Sequence, residues 1–206
     1  MSAVSISLVE LELDALRETA NIATARAARA LGVFMRRSVW MSAPMLRWSP
    51  GPWGECDAGV AQEATVAVGS GVHGALDGSI LFLVTAATAR GIARLLLGPS
   101  GGDDMADPVV RSSIVETANV LGGTYLTALA ALTGGVFKVS APSFGCVPES
   151  ALWQGLEDSG EWPVAGLCLE TALRIGNVEH ALPCRLYLLS DRGAFANVLA
   201  GLKAWS

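Results

Sequence analysis

The sequence predicts an α/β fold of the α+β type, built as two copies of one unit with internal pseudo-twofold symmetry. Three observations predict it: an internal repeat, a long amphipathic helix opening each copy, and β-rich runs that follow each helix in the same order. The tetrapeptide ETAN occurs at 18–21 and again at 116–119, an offset of 98. Ser42-Ala43-Pro44 returns as Ser140-Ala141-Pro142 at that same offset of 98. Farther along the offset becomes 104, where SILFLVTAATARGIARLLLG (79–98) answers PCRLYLLSDRGAFANVLAGL (183–202). Six extra residues therefore belong to the second copy, placed within 143–163, a stretch whose Gly, Pro, Ser and acidic content reads as loop.

Each element follows from local signals. Ser7 and Glu10 form a capping box for a first helix that runs to Leu31 and stops at Gly32. Asp107 caps a second helix, Pro108 suits its first position, and the helix runs to Leu132 before Gly134. Val39–Ala43 and Val136–Ala141 read as strands closed by proline. Ala64–Gly69, Ser79–Thr85, Gly166–Ile175 and Cys184–Leu189 read as further strands, giving an antiparallel-rich sheet. Helices over Ala86–Leu97 and Asp191–Lys203 complete the two copies. No linker separates the halves, so the expected organisation is a single domain over 1–206 made of repeats at about 1–105 and 106–206.

Composition removes several classes of function. With 206 residues, 51% apolar and 16% charged, the chain has material for a core and no disordered character. A net charge of −5 and the lack of a basic stripe argue against nucleic-acid binding. Arg36-Arg37 reads as a solvated helix end. Cys56, Cys146, Cys168 and Cys184 include no C-x-x-C pair, and His73 and His180 lie far apart, so no metal site is expected. The cysteines read as small, mostly buried apolar residues in a reducing compartment. Among the tryptophans, Trp48, Trp53, Trp153 and Trp162 fall in loop-like stretches and read as interface or partly buried residues. The acidic start lacks a secretory signal, and the expected location is cytoplasmic. Thr117–Phe137 is uncharged and about as long as a membrane span. It nevertheless contains Asn119, four threonines and two Gly-Gly pairs, so a core-packed helix is expected rather than membrane insertion.

The chemistry sits on the two long helices. At about 100° per residue, Asp14, Glu18 and Asn21 share one face, with Leu13, Leu16, Ala20, Ala23 and Ala27 opposite. Ser112, Glu116 and Asn119 repeat the polar face, and Ile114, Ala118, Leu121 and Tyr125 repeat the apolar one. Ala25 and Gly123 also lie on the polar faces, and both are small enough for a partner's backbone to approach. A Glu and an Asn on one wet helix face are usually only solvated. The recurrence of both, each time with a proline 23 positions after the asparagine, singles them out, because Asn is a poor interior helix former. An Asn amide accepts one hydrogen bond and donates two, which suits it to hold a water in a fixed orientation. Positioning supplies much of the gain in phosphoryl-group hydrolysis, and a neighbouring carboxylate can fix the register of a docked lysine.

These residues resemble the signature of the CheC/CheX/FliY chemotaxis phosphatases: Asp or Ser, three residues, Glu, two residues, Asn, 22 residues, Pro. Both copies satisfy it, as Asp14, Glu18, Asn21, Pro44 and as Ser112, Glu116, Asn119, Pro142. The two-site layout and GGTYLTALAALTG after Asn119 look most like the CheC branch. The resemblance implies a phosphatase for the phospho-aspartate of a CheY-type receiver domain. Asn21 and Asn119 would orient the attacking water, and Glu18 and Glu116 would pair with a receiver lysine. The resemblance further implies that Mg²⁺ belongs to the receiver, leaving this chain with no cofactor of its own. It gives Pro44 and Pro142 a role in shaping strand ends and leaves Asp14 and Ser112 as supporting positions. The deamidase CheD is a partner of some relatives, and the resemblance admits it here. Family members commonly carry glycines around the first asparagine, as in EIGNIGTG, where this chain has ETANIATA. Ala23 is expected to face the core, Ala25 to crowd a docking receiver, and Gly123 to leave the second site the more open. A non-catalytic receiver- or CheD-binding scaffold on the same fold is the alternative reading.

Overall fold

The computed structural model describes residues 3–49, 64–98, 104–159, 166–176 and 182–190. Its elements run α1 (Ala3–Met35), β1 (Val39–Met41), β2 (Met45–Ser49), β3 (Ala64–Gly74), β4 (Gly78–Thr85), α2 (Ala86–Leu97), α3 (Pro108–Thr133), β5 (Phe137–Val139), β6 (Ser143–Pro148), α4 (Glu149–Ser159), β7 (Gly166–Ile175) and β8 (Leu182–Ser190). The expected helix at Asp191–Lys203 lies outside the described residues.

Among the described residues, all eight strands join one antiparallel sheet in the order β1-β7-β8-β4-β3-β5, with β2 also on β7 and β6 also on β3. Exchanging the halves, β1 with β5, β3 with β7 and β4 with β8, returns the same order read backwards. Each half thus lends its first two strands to the other half's hairpin, while β4 and β8 meet at the centre.

Side chains alternate across the sheet with the period of two that extended backbone imposes. Along β4, Ile80, Phe82 and Val84 face the main core, while Leu81 and Leu83 face the opposite side. The main core lies between the sheet and helices α1, α2 and α3. Leu16, Ala20, Ala23 and Ala27 of α1 and Ile114, Ala118, Leu121 and Tyr125 of α3 are buried there, as their spacing predicts. The Leu13 side chain lies outside what the structure describes. None of the helices described is long and apolar enough to cross a membrane. The uncharged stretch after Glu116 is the inner part of α3, with Thr117 fully buried and its hydroxyl donating to the Ser113 carbonyl at 2.8 Å.

Several expectations are corrected. The first helix neither starts at Ser7 nor stops at Gly32; both residues lie inside α1. Its end is made by Arg36 in the left-handed conformation (φ 51°), with the Arg37 N–H donating back to the Gly32 carbonyl at 3.2 Å. A Cβ on residue 32 would stand 3.2 Å from the Arg37 carbonyl oxygen, so glycine serves the returning chain rather than the left-handed cap. The second helix does end as expected, with Asp107 accepting from the Val109 N–H and Gly134 left-handed at φ 66°.

The prolines do not close the strands. Val39–Met41 resumes after Pro44 as β2 on the same neighbour β7, and Phe137–Val139 resumes after Pro142 as β6 on the same neighbour β3. In each case three residues (42–44 and 140–142) oppose two, a bulge with one extra residue. A bulge leaves a residue out of the ladder, and proline has no N–H to be orphaned there.

The stretch 143–163 is not a loop: it forms β6 and α4 before the described residues break off at 160. Helix α4 covers the far face of the sheet, where Trp153 packs edge-on to Tyr187 at 5.6 Å beside Leu81, Leu83 and Leu189. What holds it is a non-local pair: Arg185 donates to the buried Glu149 carboxylate at 2.6 Å. Trp153 is therefore a core residue and Trp48 belongs to β2, whereas Trp53 and Trp162 lie outside the described residues. Of the cysteines expected to be mostly buried, Cys184 is buried and Cys146 is exposed.

Candidate functional site

Packing of the apolar stripes against the sheet turns the opposite faces of α1 and α3 to solvent. Asp14, Glu18, Asn21 and Ala25 are exposed on α1, and Ser112, Glu116, Asn119 and Gly123 are exposed on α3. Neither Glu18 nor Glu116, and neither Asn21 nor Asn119, is held by a hydrogen bond or ion pair among the described residues. Two carboxylates and two amides thus stand on rigid helices with their hydrogen-bonding capacity unspent. Such placement favours recognition, because a helix fixes the Cβ positions while water occupies the polar atoms until something displaces it.

The first residue of each motif is engaged. Asp14 accepts from Arg17 at 2.9 Å, both side chains being well exposed. The Ser112 hydroxyl donates to the Pro108 carbonyl at 2.7 Å, one turn back in the helix. Position 115, which answers Arg17 in the repeat, is Val115. The two faces therefore agree in the Glu–Asn pair and differ at their N-terminal ends.

Pro44 and Pro142 lie at the bulges, Pro44 buried and Pro142 exposed. The serines two residues before them carry a role that sequence reasoning missed. The Ser42 N–H donates to the Ala172 carbonyl at 2.8 Å, and the Ser42 hydroxyl accepts from the Ala172 N–H at 3.1 Å. Ser140 does the same with Gly71, at 2.9 Å and 2.8 Å. In each bulge the hydroxyl replaces the serine's own carbonyl as acceptor from the facing strand. The recurrence of Ser-Ala-Pro was the available signal; which strand each serine faces could not be read from it.

Ala23 is fully buried, as expected, and Ala25 is exposed on the site face. A Cβ added at Gly123 would meet nothing within 4 Å, so the second helix presents bare backbone beside Asn119. His73 lies 3.4 Å from Asp77, and His180 is outside the described residues. No group of three or more metal-ligating side chains occurs among the described residues.

No protein-family model matches the chain. The CheY-P phosphatase CheC of Bacillus subtilis is 28% identical over 203 residues, covering 95% of both chains. Among solved structures, FliY of Thermotoga maritima superposes with a TM-score of 0.71 at 18% identity, covering 95% of this chain and 97% of that one. The CheX-CheY-BeF3-Mg²⁺ complex of Borrelia burgdorferi matches with a TM-score of 0.56 at 19% identity, over 82% of this chain and 96% of the other. The near full-length likeness to CheC, the shared fold and the doubled Glu–Asn signature agree, and the chain is similar throughout to the CheC/CheX/FliY chemotaxis proteins.

Proposed function

We propose that this protein dephosphorylates a CheY-type response regulator, and that Glu18–Asn21 and Glu116–Asn119 form its two sites. The observation that carries the reading is the paired, exposed and unengaged Glu–Asn constellation on α1 and α3. The CheX-CheY complex supports the choice of partner, since that relative of the fold is seen with a receiver bound.

In this reading each asparagine holds a water in line with the phosphorus of the phospho-aspartate. The water oxygen forms the new bond to phosphorus, and the bond between phosphorus and the aspartyl oxygen breaks. The aspartate leaves as a carboxylate, and the water's protons go to the released phosphate and solvent. Glutamate fixes the receiver by a charge-assisted hydrogen bond to its active-site lysine. Positioning and fixed dipoles account for the rate, since an amide has no useful basicity. In this reading the receiver brings its own Mg²⁺, and CheD is a further candidate partner.

The test is release of phosphate from a phosphorylated receiver by Asn21→Ala/Asn119→Ala. Loss of one fixed hydrogen-bonding group at such a centre costs about 10²–10³-fold in rate, so the double variant should fall to the receiver's own decay. Acceleration that persists in a folded double variant removes both asparagines from the mechanism. A wild-type protein that binds the receiver without hastening its decay is a scaffold.

A further inference from the structure

Asn119 forms part of the wall of a cavity of about 240 Å³ between α3 and the sheet. Apart from Asn119, Ser70 and Ser140, its walls are glycine and apolar side chains, with Gly122, Gly123, Val139, Ile80, Phe82 and Leu186 prominent among them. Two consecutive residues of α3 beside it, Gly122 and Gly123, lack side chains. A Cβ at Gly122 would meet the Ile80 side chain at 3.2 Å. Val139, on the facing strand, is an exposed apolar residue at 49%.

The first copy is built differently at the corresponding positions. Thr24 stands where the second has Gly122, Ala25 where it has Gly123, and Met41 where it has Val139. Thr24 is buried, and its hydroxyl has no hydrogen-bond partner among the described residues. Other helical threonines, such as Thr19 and Thr127, donate to a carbonyl one turn back. Helix α1 therefore accommodates a side chain at this position.

Resting on the reading above, we infer that the second site has a socket that takes one apolar side chain from the docking receiver. The occupant is set by continuity: a receiver that presents its phospho-aspartate to Asn119 necessarily brings its adjoining surface over Gly122, Gly123 and Val139. The volume suits the guest, since a dry apolar cavity of about 150 Å³ already admits benzene. An aliphatic or aromatic side chain leaving water for these walls gives affinity without touching the reacting atoms. The socket makes the two sites unequal: the second gains an apolar anchor, and the first relies on its polar face.

The experiment uses the Asn21→Ala protein, in which turnover comes from the second site alone, and a CheY-type receiver in its phosphorylated and beryllofluoride forms. Gly122→Thr installs the residue that α1 carries at this position, and Val139→Ser removes an apolar wall at the surface. Each should raise KM and the Kd for the beryllofluoride receiver about tenfold or more while kcat stays within about twofold, as expected for lost uniform binding. In Asn119→Ala protein neither change should alter the first site's KM. The thermal midpoint of each variant establishes that it is folded, and Val139→Ser serves if Gly122→Thr does not fold. Unchanged KM and Kd in folded variants overturn the socket and leave the asparagine mechanism standing. Weaker receiver binding in variants of a protein without phosphatase activity supports the socket and sinks the hydrolytic reading. A receiver that is neither bound nor turned over overturns both.

Discussion

Replacing Glu149 by leucine tests whether helix α4 is held by the polar cluster beneath it. The Glu149 side chain is 6% exposed and accepts from Arg185 at 2.6 Å, with Trp153 donating more weakly at 3.4 Å. Arg185 is 21% exposed and also donates to the Tyr187 hydroxyl at 3.2 Å. Breaking a buried ion pair by removing one partner costs about 3–5 kcal/mol, because the remaining charge loses its closest compensating group while staying partly desolvated. Water reaches part of the Arg185 side chain, so the lower end, about 3 kcal/mol, applies to Glu149→Leu. At about 2–4 °C per kcal/mol for a chain of this size, the thermal midpoint should fall by roughly 6–12 °C. Glu149→Leu/Arg185→Leu removes both charges of the pair and should be less destabilised than the sum of the single variants. Urea unfolding followed by tryptophan fluorescence and circular dichroism gives the free energies and completes the double-mutant cycle. Receiver dephosphorylation should be unchanged in the folded variants, since α4 lies across the sheet from α1 and α3. A single variant within about 0.5 kcal/mol of the parent, or a double variant no better than the sum of the singles, refutes the argument.

Ser42→Ala and Ser140→Ala should each lower stability by about 0.5–1.5 kcal/mol, with additive effects, because each removes one hydrogen bond from a separate bulge; urea unfolding measures this. Gly123→Phe should leave the thermal midpoint unchanged or slightly higher, since space is open there and phenylalanine is the better helix former. In the Asn21→Ala background the same change should block the second site, read as loss of receiver dephosphorylation. Burial pushes the Cys184 thiol well above its ordinary value, whereas Cys146 is exposed. Iodoacetamide at pH 8 should therefore alkylate Cys146 and spare Cys184 until the protein unfolds, as peptide mass spectrometry will show. The raised folded value means that Cys184 favours the folded state below the unfolded thiol's pKa of about 8.5, and this contribution to stability is lost as pH climbs above it.

Sequence alone determined what depends on neighbours within a few turns of chain. The apolar stripes of α1 and α3, the Asp107 and Gly134 caps, the boundaries of α2 and β7 and the polar faces bearing Glu and Asn all follow from 3.6-residue or two-residue periodicity and local capping. The repeat added the twofold pattern, because duplicated segments place their signals at a constant offset. Tertiary structure decided what depends on distant partners. Pro44 and Pro142 read as strand ends because a missing N–H usually stops a ladder; only the register against β7 and β3 shows that each lies in a bulge. Helix α4 lay hidden in a loop-like composition because its anchor, Arg185, is 36 residues from Glu149. Gly32 looked like a cap until the return of Arg37 placed the left-handed residue at Arg36. The cavity beside Asn119 needed Ile80, Phe82 and Leu186 brought beneath two glycines, a juxtaposition set by pairing free energies between strands and invisible to local pattern.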